Sequence, residues 1–143
     1  MRISAKGRYA LAAAIKIAEQ YHTNKYISSV SVSTNLGISK MYLEQTLAML
    51  KNGGLLTATK GQGGGYRLAR APLNISVWDI LSIVESSLAE EAETRVNFPP
   101  IEEALCFAFS ALDCAVKESL NEISLEEMMS RSKNGDESWM LNM

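Results

Sequence analysis

The chain has 143 residues, of which 47% are hydrophobic and 21% charged, and its net charge is −2 at pH 7. This length and composition suit one globular unit with its own core. No apolar run is long enough to span a membrane, and the N-terminus lacks the apolar stretch of a signal peptide. We therefore expect a cytoplasmic protein without a membrane partner.

Charge is divided unevenly along the chain. Residues 1–70 hold ten Lys or Arg and two acids, a net charge of +8, whereas residues 71–143 hold four Lys or Arg and fourteen acids, a net charge of −10. A basic half attracts phosphates and an acidic half is repelled by them, so we expect the two halves to have different partners. Chance segregation of charge is the alternative explanation.

The first predicted element is a helix from about Ser4 to His22. Its expected inner stripe is Leu11, Ile15 and Ala18. Three candidate contact residues, Lys6, Arg8 and Tyr9, lie near its start. Cations at a helix N-terminus oppose the helix dipole, so helix stability does not explain Lys6 and Arg8. Contact with phosphate and ordinary surface solvation both remain open as explanations.

Two short helices separated by a tight turn are predicted between Ser29 and Asn52. Gly37 permits the turn because glycine tolerates positive φ. Apolar residues on both sides of the turn, Val32, Leu36, Ile38 and Leu43, are expected to fix the crossing of the helices. Val30 belongs to the same short apolar-periodic segment as Val32 and Leu36, and Leu43, Leu47 and Leu50 are expected to form one buried stripe. Ser39 suits the N-cap of the second helix and leaves the side chains of its first turn free. This arrangement places a helix in the major groove of DNA in many DNA-binding proteins.

The second helix carries the candidate base-contacting side chains Tyr42, Glu44 and Gln45. Ser39 and Met41 are further candidates for contact with DNA. Glutamine can pair with adenine, and glutamate can accept a hydrogen bond from the amino group of cytosine. A glutamate also repels phosphate, so Glu44 suits discrimination between bases more than affinity. Helix-turn-helix geometry also occurs in proteins that never touch DNA, which keeps a protein-interaction module as an alternative.

Two short strands, Leu55 to Thr59 and Tyr66 to Leu68, complete the pattern of a winged helix-turn-helix. Four glycines within five residues join them, and glycines there must permit unusual φ angles or close approach to another backbone. Phosphates and a narrow minor groove are such neighbours. The candidate contacts of the wing are Lys60, Gly61, Gly63 and Arg67. A nucleotide-binding loop is a weak alternative because its fingerprint lies between a strand and a helix.

The acidic half predicts further helices. Ser76 and Asp79 resemble a capping box that opens a helix to about Ser86. Ala89 to Asn97 is acidic and aperiodic, so we expect a loop. The longest helix, Ile101 to Glu122, carries an apolar stripe too broad for one packing partner: Ile101, Leu105, Phe109, Leu112, Val116 and Leu120, widened by Ala104, Phe107, Ala108, Ala111, Cys114 and Ala115. One face can pack on its own chain and the other on a second copy.

The expected fold class is mainly α with a small β-hairpin wing, a winged helix-turn-helix plus a long dimerisation helix. We assign 1–87 to a winged helix-turn-helix DNA-binding domain. We assign 88–143 to the acidic loop, the dimerisation helix 101–122 and a C-terminal segment. Ser124 is expected to cap that segment, and the pair Asn134-Gly135 is expected to interrupt it.

Several short motifs occur together in the basic half. They are Arg2-Ile3-Ser4, Lys6-Gly7-Arg8-Tyr9-Ala10, Tyr42-Leu43-Glu44-Gln45, Gly53-x-Leu55 and Gly63-Gly64-Gly65-Tyr66-x-Leu68. They resemble the IscR/NsrR/CymR family of bacterial transcription regulators. The resemblance implies a homodimer on a palindromic operator of double-stranded DNA. It also implies that the helix of Tyr42 to Gln45 enters the major groove and that the hairpin tip enters the minor groove. Lys60 stands where many members carry arginine.

The iron–sulfur members of that family carry three cysteines in and just after the loop before the long helix, and this loop has none. The two cysteines of the chain, Cys106 and Cys114, lie eight residues apart on one predicted helix, roughly 12 Å along its axis. We therefore expect no cofactor and no metal site, and we expect both cysteines to be buried structural thiols. The resemblance is then to the cluster-less branch of the cysteine-metabolism repressor, whose members respond to a protein partner, O-acetylserine sulfhydrylase.

The predicted function is sequence-specific DNA binding by a homodimeric transcriptional regulator, a repressor, and not an enzyme. A single histidine, His22, and no matching catalytic motif leave little basis for an active site. Two alternatives share the fold. One is an iron–sulfur or thiol-based redox sensor that uses Cys106 and Cys114, and the other is a winged-helix protein-interaction module.

Overall fold

A computed structural model describes residues 3–89 and 100–141. The elements in chain order are α1 (Ala5–Ala18), a 3-10 turn (Tyr21–Thr23), α2 (Ser29–Leu36), α3 (Lys40–Asn52), β1 (Leu56–Thr59), β2 (Gly65–Leu68), a 3-10 turn (Pro72–Asn74), α4 (Val77–Val84), α5 (Ser86–Ala89), α6 (Glu102–Asn121) and α7 (Leu125–Leu141). β1 and β2 form an antiparallel hairpin. The predicted fold class, mainly α with a small β-hairpin wing, is confirmed, and the use of the long helix for dimerisation stays a prediction. The loop predicted over Ala89 to Asn97 lies, beyond its first residue, outside the described residues. None of the described helices is long and apolar enough to cross a membrane.

Helix α1 is the central element and contacts α2, α3, α4, α7 and β2. Its buried residues are mostly small: Gly7, Ala10, Ala13, Ala14, Ile17 and Ala18. Of the predicted inner stripe, Ala18 is buried, but Leu11 and Ile15 are only half-buried at the edge of the core, so that prediction was wrong in part. A helix surrounded by several elements needs small residues on its most crowded side, and its larger side chains then lie at the edge of the core. The helix also ends at Ala18, before the predicted His22, which is exposed in the 3-10 turn.

The helix-turn-helix forms as the local sequence predicts. Gly37 ends α2 with φ +67°, and the Ser39 side chain accepts a hydrogen bond from the backbone N–H of Tyr42 at 3.3 Å. Four of the predicted apolar residues are fully buried: Val32, Leu43, Leu47 and Leu50. Val30, from the same apolar-periodic segment, is 52% exposed. Two residues along a helix correspond to about 200° of rotation, so the burial of Val32 turns Val30 outward.

The beginnings of α4 and α7 are held together by backbone hydrogen bonds. The predicted capping box of Ser76 and Asp79 is present. The N–H of Val77 donates to the carbonyl of Ile123 at 2.9 Å, and the Ser76 hydroxyl donates to Asn121 Oδ1 at 2.9 Å. Leu125 is fully buried in the same core as α1 and α4. A residue of the predicted second segment thus belongs to the core of the first, and the boundary at 87/88 stays a prediction.

Helix α7 begins as predicted and extends further. The Ser124 hydroxyl accepts a hydrogen bond from the N–H of Glu127 at 3.1 Å. The helix then continues through Asn134 and Gly135 to Leu141, so the predicted interruption is wrong. One glycine costs a helix interior about 1 kcal/mol relative to alanine, which is too little to end a helix by itself.

Ser76 gives a test of how strongly the capping box stabilises this fold. Ser76→Ala removes the acceptor of the Asp79 N–H and the donor to Asn121. We expect the free energy of unfolding to fall by about 1 kcal/mol, measured by urea denaturation. The matched control is Ser82→Ala on the same helix, whose hydroxyl makes one longer bond of 3.4 Å to the carbonyl of Asp79. Equal losses for the two variants would contradict the assigned role of the cap.

Candidate nucleic-acid interface

The N-terminus of α1 is anchored to the end of α4. Ser4 is the N-cap of α1, and its backbone N–H donates to Glu85 Oε1 at 2.8 Å. The Ser4 hydroxyl donates to the same oxygen. Glu85 is 8% exposed, so this carboxylate is held inside the protein by the groups that donate to it. Gly7 lies where a Cβ would overlap Glu85. The first turn of α1, which carries Lys6 and Arg8, therefore has a defined position.

Tyr9 connects that turn to the second helix of the helix-turn-helix. Its ring meets the ring of Tyr42 edge to face, with centroids 5.4 Å apart and planes at 90°. Edge-to-face pairs of this kind are favourable beyond the area they bury. Both tyrosines are half-buried. Two predicted contact residues from separate helices thus lie side by side at one surface.

The outer face of α3 presents predicted DNA-contacting side chains. Met41, Glu44 and Gln45 are exposed, and Met41 is 75% exposed. Glu44 has two partners: its Oε1 accepts a hydrogen bond from the Ser29 hydroxyl at 3.0 Å and lies 3.9 Å from Lys40 Nζ. These contacts fix the direction of the carboxylate across the helix-turn-helix. They also leave Met41 and Gln45 as the outward side chains of the first turns of α3.

The acids of the basic half are balanced locally. Glu19 lies 3.7 Å from Lys16, and Glu44 lies 3.9 Å from Lys40. Residues 1–70 contain no other acid. Exposed ion pairs of this kind contribute little to stability. Their effect here is electrostatic, because the carboxylates that would repel phosphate are each paired with a cation.

The hairpin wing is attached to the segment that precedes α2. Ile27 and Tyr66 exchange two backbone hydrogen bonds, each 2.8 Å long. Ile27 therefore pairs with β2 through an isolated antiparallel β-bridge. Gly65 has φ +148°, and a Cβ there would overlap the carbonyl group of Ile27. The sequence predicted that these glycines allow close approach to another backbone. At Gly65 that backbone is the chain's own, at Ile27, and not that of DNA. The wing therefore keeps a defined orientation relative to the helix-turn-helix.

The tip of the wing is exposed. Gly61 and Gly63 have φ of +93° and +79°, and a Cβ at either would have open space around it. Lys60 is exposed beside them. Arg67 lies further down the hairpin and is half-buried, with its guanidinium carbon 5.8 Å from the centre of the Tyr26 ring. Its Nε is buried, and no acceptor among the described residues reaches it.

The structure thus brings the predicted contact residues of α1 and α3 together through Tyr9 and Tyr42, and it places Lys60, Gly61 and Gly63 on the separate wing tip. Sequence reasoning missed the residues that orient them. These are Tyr26, Ile27, Ser29 and Glu85. No local pattern marks them, because each acts through a partner distant along the chain. Contact of the candidate residues with DNA stays a prediction.

Comparison with known proteins decides the family. Residues 3–131 match the model of the Rrf2 family, described as iron-dependent transcriptional regulator. The chain belongs to the Rrf2 family. It is 32% identical over 140 residues to the HTH-type transcriptional regulator CymR of Bacillus subtilis, covering 98% of both chains. It is 42% identical over 89 residues to the HTH-type transcriptional regulator IscR of Cereibacter sphaeroides, covering 62% of this chain and 57% of that relative.

Solved structures agree with this assignment. The structure of CymR, the global cysteine regulator of B. subtilis, has a TM-score of 0.74 at 30% identity and covers 92% of this chain and 98% of that chain. The structure of T. potens IscR has a TM-score of 0.74 at 29% identity and covers 94% and 90% of the two chains. The predicted resemblance is confirmed. This Rrf2 member is a transcriptional regulator of a DNA-binding, winged-helix family.

The description of the family implies iron, and the side chains of this member do not fit an iron site. Among the described side chains, those of residues 3–88 and 100–133, no three His, Cys, Asp or Glu are grouped so that they could hold a metal ion. Cys106 is half-buried and Cys114 is exposed, so the predicted burial of Cys114 was wrong. Eight residues of α6 separate them, about 12 Å along the axis. Residues 90–99 contain neither Cys nor His.

Iron content gives a direct test of this donor set. We expect protein purified without oxygen to be colourless and to contain no stoichiometric iron or acid-labile sulfide, because two thiolates on one rigid helix cannot wrap a cluster. Metal analysis and the visible absorption spectrum measure this, with Cys106→Ala and Cys114→Ala as matched variants. Brown protein whose iron and sulfide disappear in either variant would overturn the expectation.

Proposed function

We propose that this Rrf2 member is a repressor that binds a palindromic operator as a homodimer, with α3 in the major groove and the wing tip at the minor groove. The proposal rests on one observation: α3 and the wing, which carry the two proposed contact surfaces, are each held in a defined position in the same fold. The Tyr9–Tyr42 contact fixes α3 against α1, and the Ile27–Tyr66 bridge fixes the wing. Phosphate contacts position a protein on DNA and base contacts specify the sequence, so the surfaces must keep one geometry.

Base recognition is assigned to the outer face of α3. Gln45 is exposed, and its amide can donate to and accept from adenine at the same time. Glu44 can accept from the amino group of cytosine, and its tie to Ser29 directs the carboxylate before DNA arrives. Lys6, Arg8 and Lys60 supply cations for phosphates on either side of this face. In this proposal α3 provides the sequence specificity, and the cations on either side of it provide the affinity.

The homodimer is assigned to α6. None of the 20 residues of α6 is buried. The helix and its N-cap residue together carry four large apolar side chains that are exposed among the described residues. Those side chains are Ile101, Phe107, Phe109 and Leu112. Its partly buried face contacts α4, where Lys117 lies 5.8 Å from the ring centre of Trp78. These exposed apolar side chains support a two-fold interface, which would also present two copies of α3 to the two half-sites of a palindrome.

For the regulatory signal that controls DNA binding, we propose a general class and no specific molecule. The structural relative described as a global cysteine regulator supports a link to sulfur metabolism. The family resemblance supports a protein partner of the O-acetylserine sulfhydrylase type, and that partner stays a prediction. Relatives of this chain are named as transcriptional regulators, which supports the expectation that it is not an enzyme.

Gln45 and Lys60 separate base discrimination from general affinity. For Gln45→Ala we expect a loss of roughly 1–3 kcal/mol of discrimination at one position of each half-site. For Lys60→Ala we expect weaker binding to all sequences and a salt dependence reduced by about one unit of slope per lost phosphate contact. Binding of both variants to an operator and its single-base variants, at several salt concentrations, measures the two effects.

Both side chains are exposed, so neither variant should alter folding. An unchanged sequence profile for Gln45→Ala would contradict its placement at base edges. A change of sequence preference without loss of affinity for Lys60→Ala would contradict the role given to the wing tip.

Leu112 tests the dimer. It is 53% exposed on α6, so Leu112→Glu should leave the fold of the chain intact while burying an unpaired charge in the interface. We expect folded monomers by sedimentation and loss of binding to the palindrome. Ser130→Glu is the matched control, because it adds the same charge at an exposed position of α7, outside the proposed interface. A wild-type monomer that binds a palindrome tightly would refute this interface.

A further inference from the structure

Met41 is the most exposed large apolar side chain in the described part of the basic half, at 75%, and it is the second residue of α3. Single exposed apolar side chains are common on protein surfaces and do not mark a site by themselves. The position of Met41 is the informative feature. It shares its face of α3 with Gln45, one turn later, and both point away from the core that Leu43 and Leu47 enter.

The surroundings of Met41 are polar. Lys40 precedes it and is within 3.9 Å of Glu44, and Gln45 is exposed. Met41 is therefore an apolar group next to the hydrogen-bonding side chains of Lys40, Glu44 and Gln45, at the helix end where a recognition helix meets base edges. The basic half around it has a net charge of +8, and both of its acids lie next to lysines. The charge of this surface is complementary to DNA.

Base edges in the major groove offer one apolar group, the C5 methyl group of thymine. We infer that Met41 recognises a thymine methyl group in each half-site, next to the base pair contacted by Gln45. This inference rests on the proposed placement of α3 in the major groove. Methionine suits the contact because its unbranched, flexible side chain adapts to an apolar neighbour without directional bonds.

Removal of the methyl group alone tests the inference. The probe is the tightest duplex recovered from random DNA with the wild-type chain, in which each thymine is replaced in turn by deoxyuridine. At one thymine of each half-site we expect about fourfold weaker binding, the equivalent of ~0.8 kcal/mol for one methylene-sized group. Met41→Ala and Met41→Gln should bind the thymine and uracil duplexes equally well, and Met41→Leu should retain the difference.

All three substitutions keep a good helix former at an exposed position, so folding should not change. Leu73→Ala is the matched control, because Leu73 is 66% exposed but lies on the 3-10 turn after the hairpin. It should retain the full difference between thymine and uracil. A second arm replaces each cytosine by 5-methylcytosine, which places the same methyl group on the other pyrimidine.

The outcomes separate this inference from the proposed function. If random DNA yields no preferred duplex for the wild-type chain, the proposed function fails. If a preferred duplex is found but no uracil weakens binding, or Met41→Ala retains the weakening, recognition of thymine by Met41 is overturned while DNA binding stands. Tighter binding on methylation of a cytosine, with no loss at any uracil, also overturns the assignment to thymine.

Discussion

The close packing around the alanine-lined face of α1 is the constraint on which the other elements depend. Ala10 and Ala13 are completely buried, and the helix contacts α2, α3, α4, α7 and β2. The distance between two packed helices depends on the side chains at the contact, so small residues let several elements approach one axis. Enlarging a well-packed position typically costs about 1–3 kcal/mol through strain. Every element of the proposed DNA surface is therefore positioned relative to α1.

Stability and recognition are assigned to different side chains at that surface. Leu43, Leu47 and Leu50 hold α3 in the core, where a fully buried leucine contributes about 1.5–3 kcal/mol. Met41 and Gln45 on the opposite face are exposed and contribute little to the fold. Such an arrangement allows the proposed sequence preference of a family member to change without loss of its structure. Only the orienting contacts, such as the tie from Ser29 to Glu44, link the two roles.

In the acidic half, by contrast, helix α6 leaves large apolar side chains exposed. α6 contacts α4 along one side, and each of its 20 residues, all of which are described, is exposed or half-buried. Helices gain most of their stability from packing an apolar face rather than from intrinsic propensity. The exposed Phe107 and Leu112 of α6 are therefore available for a further packing contact. In the proposed homodimer, a second copy of the chain would supply that surface and the two-fold symmetry that a palindromic operator requires.

Features that depend on neighbours in the chain could be predicted from sequence. The turn at Gly37, the cap at Ser39 and the capping box at Ser76 each need only a few consecutive residues, and the structure confirms them. The hairpin and the buried leucine stripe of α3 follow from short periodic patterns in the same way. Together with the motifs of the basic half, these patterns were sufficient to predict the family and the fold class.

Tertiary structure decided which face of α1 is buried and how the contact surfaces are oriented. Its most crowded side selects alanines over Leu11 and Ile15, because several elements meet there. The hydrogen bond from Ser4 to Glu85 joins residues 81 apart, and that from Ser29 to Glu44 joins residues 15 apart. Hydrophobic periodicity describes which residues share a face of one element. It contains no information about which distant element that face will meet, so only the folded chain determines these contacts.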